Sequence, residues 1–242
     1  MSVLTLQSGA AIADIDTTGA YLTQLKNGMT ELLFPAQRIG EKMRGGIPLC
    51  APIFGPGDTV GLRQHGFARD VEWKVTRLEA DEIVLSFDFA GDPDLPDSYD
   101  GCRMTYTVKL RENSLFLQLN IENQGEAAFI CSPGFHPYFP TSNATEVTIR
   151  ADSTRSFTAD ELLATQFLPP HQEKTGVRLD GVEVATSSQT LQRYAVWSAN
   201  PDKYICVEPT WAGYLDDQAA PLALQPGQYK DFDIELSWSR LA

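Results

Sequence analysis

The chain has 242 residues, of which 43% are hydrophobic and 21% charged, enough apolar material for a sizeable core and ordinary for a folded protein. Lys and Arg number 19 against 32 Asp and Glu, a net charge of −13. That balance argues against nucleic acid and anionic membrane surfaces as partners, since both require a basic face.

In chain order, Val3–Gln7, Ala11–Ile15, Tyr21–Lys26 and Thr30–Phe34 read as short strands separated by turn residues, with Asn27-Gly28 as a hairpin signal. The stretch Arg44–Arg69 is too rich in Gly and Pro for a helix or a central strand, yet it carries Ile47, Leu49, Ile53, Phe54 and Phe67 to pin it to a core. A loop of this kind that also holds Arg44, His65 and Arg69 is suited to line a pocket, with all three facing one ligand. The alternative is an ordered loop with solvated arginines.

Val71–Leu78 and Ile83–Ala90 form a further expected hairpin. The period-two pattern is clearest where Met104, Tyr106, Val108 and Leu110 alternate with Thr105, Thr107, Lys109 and Arg111. After a turn it resumes at Leu115, Leu117, Leu119 and Ile121. Such alternation means a sheet buried on one face and wet on the other. More strands are expected at Ala127–Cys131, Glu146–Ala151, Leu191–Trp197, Tyr204–Val207 and Asp231–Trp238, and Thr158-x-x-Glu161 is a capping box opening about two helical turns. A dozen or so strands with few helices predict an all-β, antiparallel sandwich or barrel. No composition shift marks a linker, so residues 1–242 read as one domain.

The four cysteines, Cys50, Cys102, Cys131 and Cys206, form no Cys-x-x-Cys pair and read as reduced core residues of a cytoplasmic protein. The N-terminal residues lack the features of a signal peptide, and no run is long enough to span a bilayer.

Three histidines are present. His171 lies in a polar stretch and reads as solvated. His136 stands in Pro-Gly-Phe-His-Pro-Tyr-Phe-Pro, an irregular frame in which Phe135, Tyr138 and Phe139 offer an aromatic wall. An imidazole beside aromatic faces suits a sugar, which presents apolar C–H faces as well as hydroxyls; the other reading is a packed core histidine. Glu208 ends the apolar run Tyr204–Val207, and Pro209 is expected to stop the ladder behind it. A carboxylate at the end of a buried strand is desolvated and becomes a better base near neutral pH, although a surface glutamate would show the same local pattern. The aspartates Asp92, Asp94, Asp97 and Asp100 fail the spacing of a calcium loop.

Arg-Gly-Gly-Ile-Pro, Gln-His-Gly-Phe-Ala-Arg, Phe-His-Pro-Tyr-Phe and Ile-Cys-Val-Glu-Pro, in that order, resemble the motifs of the aldose 1-epimerase (mutarotase) family with the galactose mutarotase-like fold, and in particular its hexose-6-phosphate branch. The resemblance covers nearly the whole chain. It implies a large antiparallel β-supersandwich and the interconversion of sugar anomers, with Glu208 as general base and His136 as general acid. It further implies that His65, with Gln64, binds and polarises the ring, that Arg44 and Arg69 hold a phosphate, and that Asp180, in Leu-Asp-Gly-Val, is a candidate substrate-binding aspartate. It implies no metal and no organic cofactor, a small sugar or sugar phosphate as partner, and a monomer or weak dimer. Two other readings remain open from the sequence: a non-catalytic sugar-binding or sensor protein on the same fold, and a glycosidase or lyase pairing Glu208 with Asp216 or Asp217.

Overall fold

The computed structural model describes all residues except 1, 90–94, 142–145, 151–152, 169–174, 180–181, 192, 215–220 and 241–242. Its architecture follows from the alternating strands. Cys102–Arg111 and Ser114–Asn123 pair antiparallel with Tyr106 opposite Leu119 and Val108 opposite Leu117. Tyr229–Arg240 lies on the far side of the second strand, with Phe232 opposite Leu119 and Ile234 opposite Leu117. On one face Met104, Tyr106, Val108, Leu110, Leu115, Leu117, Leu119, Ile121, Phe232, Ile234 and Leu236 are fully buried, and burying each such side chain stabilises the fold by roughly 1.5–3 kcal/mol.

These three strands are the middle of a nine-stranded antiparallel sheet, bordered by Val182–Ser187, Thr175–Leu179, Glu146–Arg150 and Ser153–Ser156 on one side and by Glu82–Asp88 and Lys74–Leu78 on the other. A six-stranded sheet packs over it, with path Gln166–Phe167, Arg193–Trp197, Tyr204–Thr210, Gly134–Phe135, Leu49–Cys50, and with Tyr138–Pro140 also paired to Tyr204–Thr210. A four-stranded N-terminal sheet, Val3–Ser8 to Thr30–Glu31, contributes Leu6, Ala13, Ile15 and Leu22 to the same main cluster of buried side chains. The arrangement is the expected sandwich of open antiparallel sheets. Among the described residues the one α-helix is Ala159–Leu162, a single turn rather than two. Its capping box is present: the Glu161 N–H donates to Thr158 Oγ1 at 3.2 Å and the Thr158 N–H to Glu161 Oε2 at 2.7 Å.

The six-stranded sheet is buried on both faces. Phe135, Phe139, Tyr194, Val196, Ile205 and Val207 join the main core. The opposite face carries two small clusters of its own, Cys50, Phe54 and Ala195 with Phe167 and Tyr214, and Tyr138, Tyr204 and Cys206 with Phe34, Ile39 and Trp197. All seven residues of Tyr204–Thr210 are therefore buried, which corrects the expectation that this strand ends at Val207. Glu208 and Pro209 remain in register with Ala195 and Tyr194. All four cysteines are free and buried, as expected.

Candidate active site

Pro209 interrupts one flank of its strand only. The Trp211 N–H donates to Pro133 O on the side of Gly134–Phe135. Backbone nitrogens two residues apart in a strand point the same way, so the nitrogen of Pro209, which carries no hydrogen, faces that flank as well. There the ladder is broken: Gly134 opposes Thr210 and Tyr138 opposes Cys206, with no ladder pair between them. Both flanks of the break keep one register, which sets His136 opposite Glu208. Pro137 and Pro209 thus open a gap in a sheet, and an imidazole and a carboxyl meet in it. His136 Nε2 lies 3.5 Å from Glu208 Oε2, with the two residues 6% and 2% exposed.

The loop Arg44–Arg69 closes the other side of the His136 segment. Leu49 opposes Phe135, the His136 N–H donates to Pro48 O at 3.3 Å, and the Tyr138 N–H donates to Gly46 O at 3.0 Å. This approach needs Gly46: its φ is +61°, and a Cβ there would lie 2.1 Å from the Leu22 carbonyl oxygen. Further along, His65 adopts φ +67°. Its N–H donates to Gly55 O at 2.8 Å, and the Gly55 N–H donates to His65 Nδ1 at 3.0 Å. A ring nitrogen that accepts a backbone N–H carries no proton itself, so His65 is held neutral with its proton on Nε2. Burial, followed by the charges of Arg69 and Arg44, pushes its pKa down to about 3. The His65 ring meets His136 edge-on, with centroids 5.6 Å apart.

Arg44 and Arg69 approach this centre from different supports. Arg44 lies over the Trp197 ring at 5.1 Å and donates through Nη1 to the Tyr138 hydroxyl at 3.5 Å. Arg69 Nη2 donates to Gln64 O at 2.7 Å, while the Gln64 side chain is exposed. Both guanidinium charges disfavour a proton on His65 and His136. Five of the expected site residues, Arg44, His65, Arg69, His136 and Glu208, thus gather at one place. Gln64 contributes its carbonyl to hold Arg69, and Asp180 lies outside the described residues, as do His171, Asp216 and Asp217.

Burial dominates the titration of the central pair. Desolvation alone pushes the Glu208 carboxyl well above its ordinary range. Desolvation, then the neighbouring His65 and the charges of Arg69 and Arg44, hold His136 well below its own. Burial thus disfavours the charged form of both side chains, so the pair resists carrying full opposite charges. No neighbouring carboxylate contributes to the shift of Glu208, and Asp216 and Asp217, the partners a glycosidase reading would need, lie outside the described residues. His136, Cys206 and Glu208 are the described residues whose donor atoms, within 4.8 Å of one another, could surround a metal ion. Of these, Cys206 is a fully buried thiol packed with Tyr138 and Tyr204.

The aromatic wall differs from the expected one. Strand alternation turns Phe135 and Phe139 into the main core and leaves only Tyr138 on the site face. The other rings come from distant segments: Trp197 edge-on to His136 at 6.0 Å, Phe54 against His65 at 5.1 Å, and Tyr214 stacked on Phe54 at 5.9 Å. Cys206 was recoverable as the residue two before Glu208 on the same strand face. Phe54 was marked only as an apolar anchor of the Arg44–Arg69 loop, and no local pattern marked Trp197 or Tyr214.

A model of the aldose 1-epimerase family matches residues 1–224. Among curated proteins, the chain is 30% identical over 112 residues to a candidate glucose-6-phosphate 1-epimerase of Escherichia coli, a match covering 46% of this chain and 37% of that protein. It is 26% identical over 173 residues to a candidate glucose-6-phosphate 1-epimerase of Salmonella typhimurium, covering 68% and 54%. The chain spans about half the length of the curated relatives it matches. Among solved structures, a candidate aldose 1-epimerase of Escherichia coli superposes with a TM-score of 0.80 at 16% identity over 99% of both chains. A Synechocystis protein does so at 0.80 and 19% identity over 99% of this chain and 96% of that one. These structural likenesses identify the fold.

Proposed function

The chain belongs to the aldose 1-epimerase family, and from that premise we propose that it interconverts the α and β anomers of an aldohexose by acid–base ring opening. The observation that carries this reading is the approach of His136 Nε2 to Glu208 Oε2, 3.5 Å apart in a gap between strands and shielded from water. Mutarotation removes the proton of the anomeric hydroxyl while the ring oxygen gains one. The ring opens to the free aldehyde, the C1–C2 bond rotates, and the reverse transfers close the ring on the other face. The reaction neither consumes nor releases a net proton, so one base and one acid in contact are sufficient.

In this reading Glu208 takes the proton of the anomeric hydroxyl, and its raised pKa keeps it an effective base near neutral pH. His136 donates to the ring oxygen. His65, fixed with its proton on Nε2, serves as a permanent hydrogen-bond donor to the sugar and not as an acid. The preferred substrate is a hexose 6-phosphate, supported by two guanidinium groups near the pair and by the descriptions of the curated relatives. An arginine fork matches phosphate oxygens in geometry and charge.

The test is anomer exchange of glucose, galactose and glucose 6-phosphate, followed by NMR. Glu208→Gln and His136→Ala should each reduce the acceleration by about 10²–10⁴-fold. Arg44→Ala should weaken glucose 6-phosphate selectively. Sugar binding without any acceleration in the unaltered protein would favour a sensor over an enzyme, and equal weakening of all three sugars by Arg44→Ala would remove the phosphate assignment.

A further inference from the structure

His136 is buried, yet its Nδ1 has no hydrogen-bond partner on any other described residue. A histidine that moves protons commonly has its second nitrogen tied to a carbonyl or carboxylate, which fixes the ring plane and the tautomer. His65 Nδ1 is held by the Gly55 N–H, whereas no neighbouring residue ties His136 Nδ1 and the ring's favourable backbone contact is with its own main chain. Other rings surround it instead. The phenol of Tyr138 lies parallel to the imidazole, with centroids 4.7 Å apart and 10° between planes. Trp197 and His65 meet it edge-on, at 88° and 82°.

Tyr138 is itself held in place. Tyr204 packs against it at 5.0 Å, and its hydroxyl accepts from Arg44 Nη1. Its main chain is tied on both sides, to Gly46 and to Phe34. A ring so anchored, lying flat on a neighbour only two residues away, leaves the imidazole little freedom to turn.

We infer that Tyr138 is the positioning residue of His136: its parallel ring, in place of a hydrogen bond from Nδ1 to a neighbouring residue, sets the imidazole plane that aims Nε2 at Glu208 and stabilises the imidazolium when it forms. The inference rests on the role proposed for His136 above. The imidazolium needs such help. Arg44 and Arg69 both oppose a positive charge on His136. On the strand Tyr204–Thr210, Glu208 favours that charge, while Cys206 and Tyr204 face the site as neutral groups. Besides a hydrogen bond to its own main chain, the imidazolium has the electron-rich face of Tyr138, and a desolvated cation over such a face is attracted to it.

The test compares Tyr138→Phe, which keeps the ring and loses only the Arg44 contact, with Tyr138→Leu, which loses the ring. Tyr138→Met serves as a bulkier non-aromatic replacement should the leucine variant fail to fold. The non-aromatic variant should lose roughly tenfold in kcat with little change in KM, and the phenylalanine variant should recover most of that loss. In ¹⁵N NMR of the sugar-free proteins, the His136 nitrogens should titrate at lower pH in the non-aromatic variant than in Tyr138→Phe. This second readout needs no turnover, so it stands even if the protein proves not to be an epimerase. A folded non-aromatic variant with unaltered kcat and unaltered His136 titration would overturn the inference. So would a phenylalanine variant as impaired as the leucine one, since the hydroxyl and Arg44 would then carry the effect.

Discussion

Glu208 occupies a position where its own ionisation works against the fold. Its pKa is raised in the folded chain by burial alone. A group with a raised folded pKa stabilises fully below its unfolded value, near 4.5, and loses that contribution as the pH rises through the folded value. Near neutral pH the folded protein therefore carries a cost at this residue, a cost that the proposed proton transfer makes use of. Glu208→Gln should melt at a higher temperature than the unaltered chain, with a larger difference at pH 8 than at pH 5 in paired calorimetry. A difference independent of pH would show that the carboxyl is not desolvated as described. The buried histidines act in the opposite sense, because His65, held at about 3 against 6.5 unfolded, loses its stabilising contribution as the pH falls through that window. Glu208→Gln leaves His65 in place, so the acid-side trend of that residue cancels in the comparison.

At the level of elements, the site depends on two irregular segments being forced into alignment. The segment Gly134–Pro140 is aligned by the register it shares with Tyr204–Thr210 on either side of the gap. The segment carrying His65 is aligned by tight backbone contacts. The N–H groups of Phe67 and Ala68 both donate to Ala51 O, at 3.0 Å each. Between them and His65, Gly66 adopts φ +71°, and a Cβ at this residue would fall 2.2 Å from the same carbonyl oxygen. Backbone cannot yield as a flexible side chain can, so Gly66→Ala should destabilise by about 1–3 kcal/mol or more through left-handed strain and the clash. Urea unfolding measures the loss, and a variant as stable as the parent would mean that this segment is free to relax. Because the same displacement carries His65 away from His136, sugar affinity should fall together with stability.

For the molecule as a whole, a chain of net charge −13 presents a cationic site. The distant acidic charges repel a sugar phosphate over lengths that salt screens, about 8–10 Å at ordinary ionic strength, whereas contacts within a buried site are screened far less. If the substrate is phosphorylated, moderate salt should therefore lower KM for glucose 6-phosphate and leave KM for glucose unchanged. Titrating sodium chloride into the anomer-exchange assay checks this, and a KM for the phosphorylated sugar that rises from the first addition would place the acting charges at an exposed surface.

The strands Cys102–Arg111 and Ser114–Asn123 were legible because their alternation is a local property, imposed by the two-residue period of the backbone wherever one face is dry. Asn27-Gly28 and Thr158-x-x-Glu161 were legible for the same reason, since a turn and a cap form from neighbouring residues. The candidacy of His136 and Glu208 also came from the chain, through Pro and Gly frames and motif order. Where Tyr204–Thr210 would end did not, because a proline usually stops a ladder, and only the break between Gly134 and Tyr138 gives Pro209 a flank that requires no donor. The aromatic surroundings were hidden as well. Tyr138 faces the site while Phe135 and Phe139 do not, and Trp197, Phe54 and Tyr214 arrive from separate segments. The sequence by itself determined the strands, the turns and the residues able to exchange protons, since these depend on neighbours along the chain. The tertiary structure decided which of those residues meet and how far burial shifts their protons, because contact and desolvation arise only when distant segments pack together.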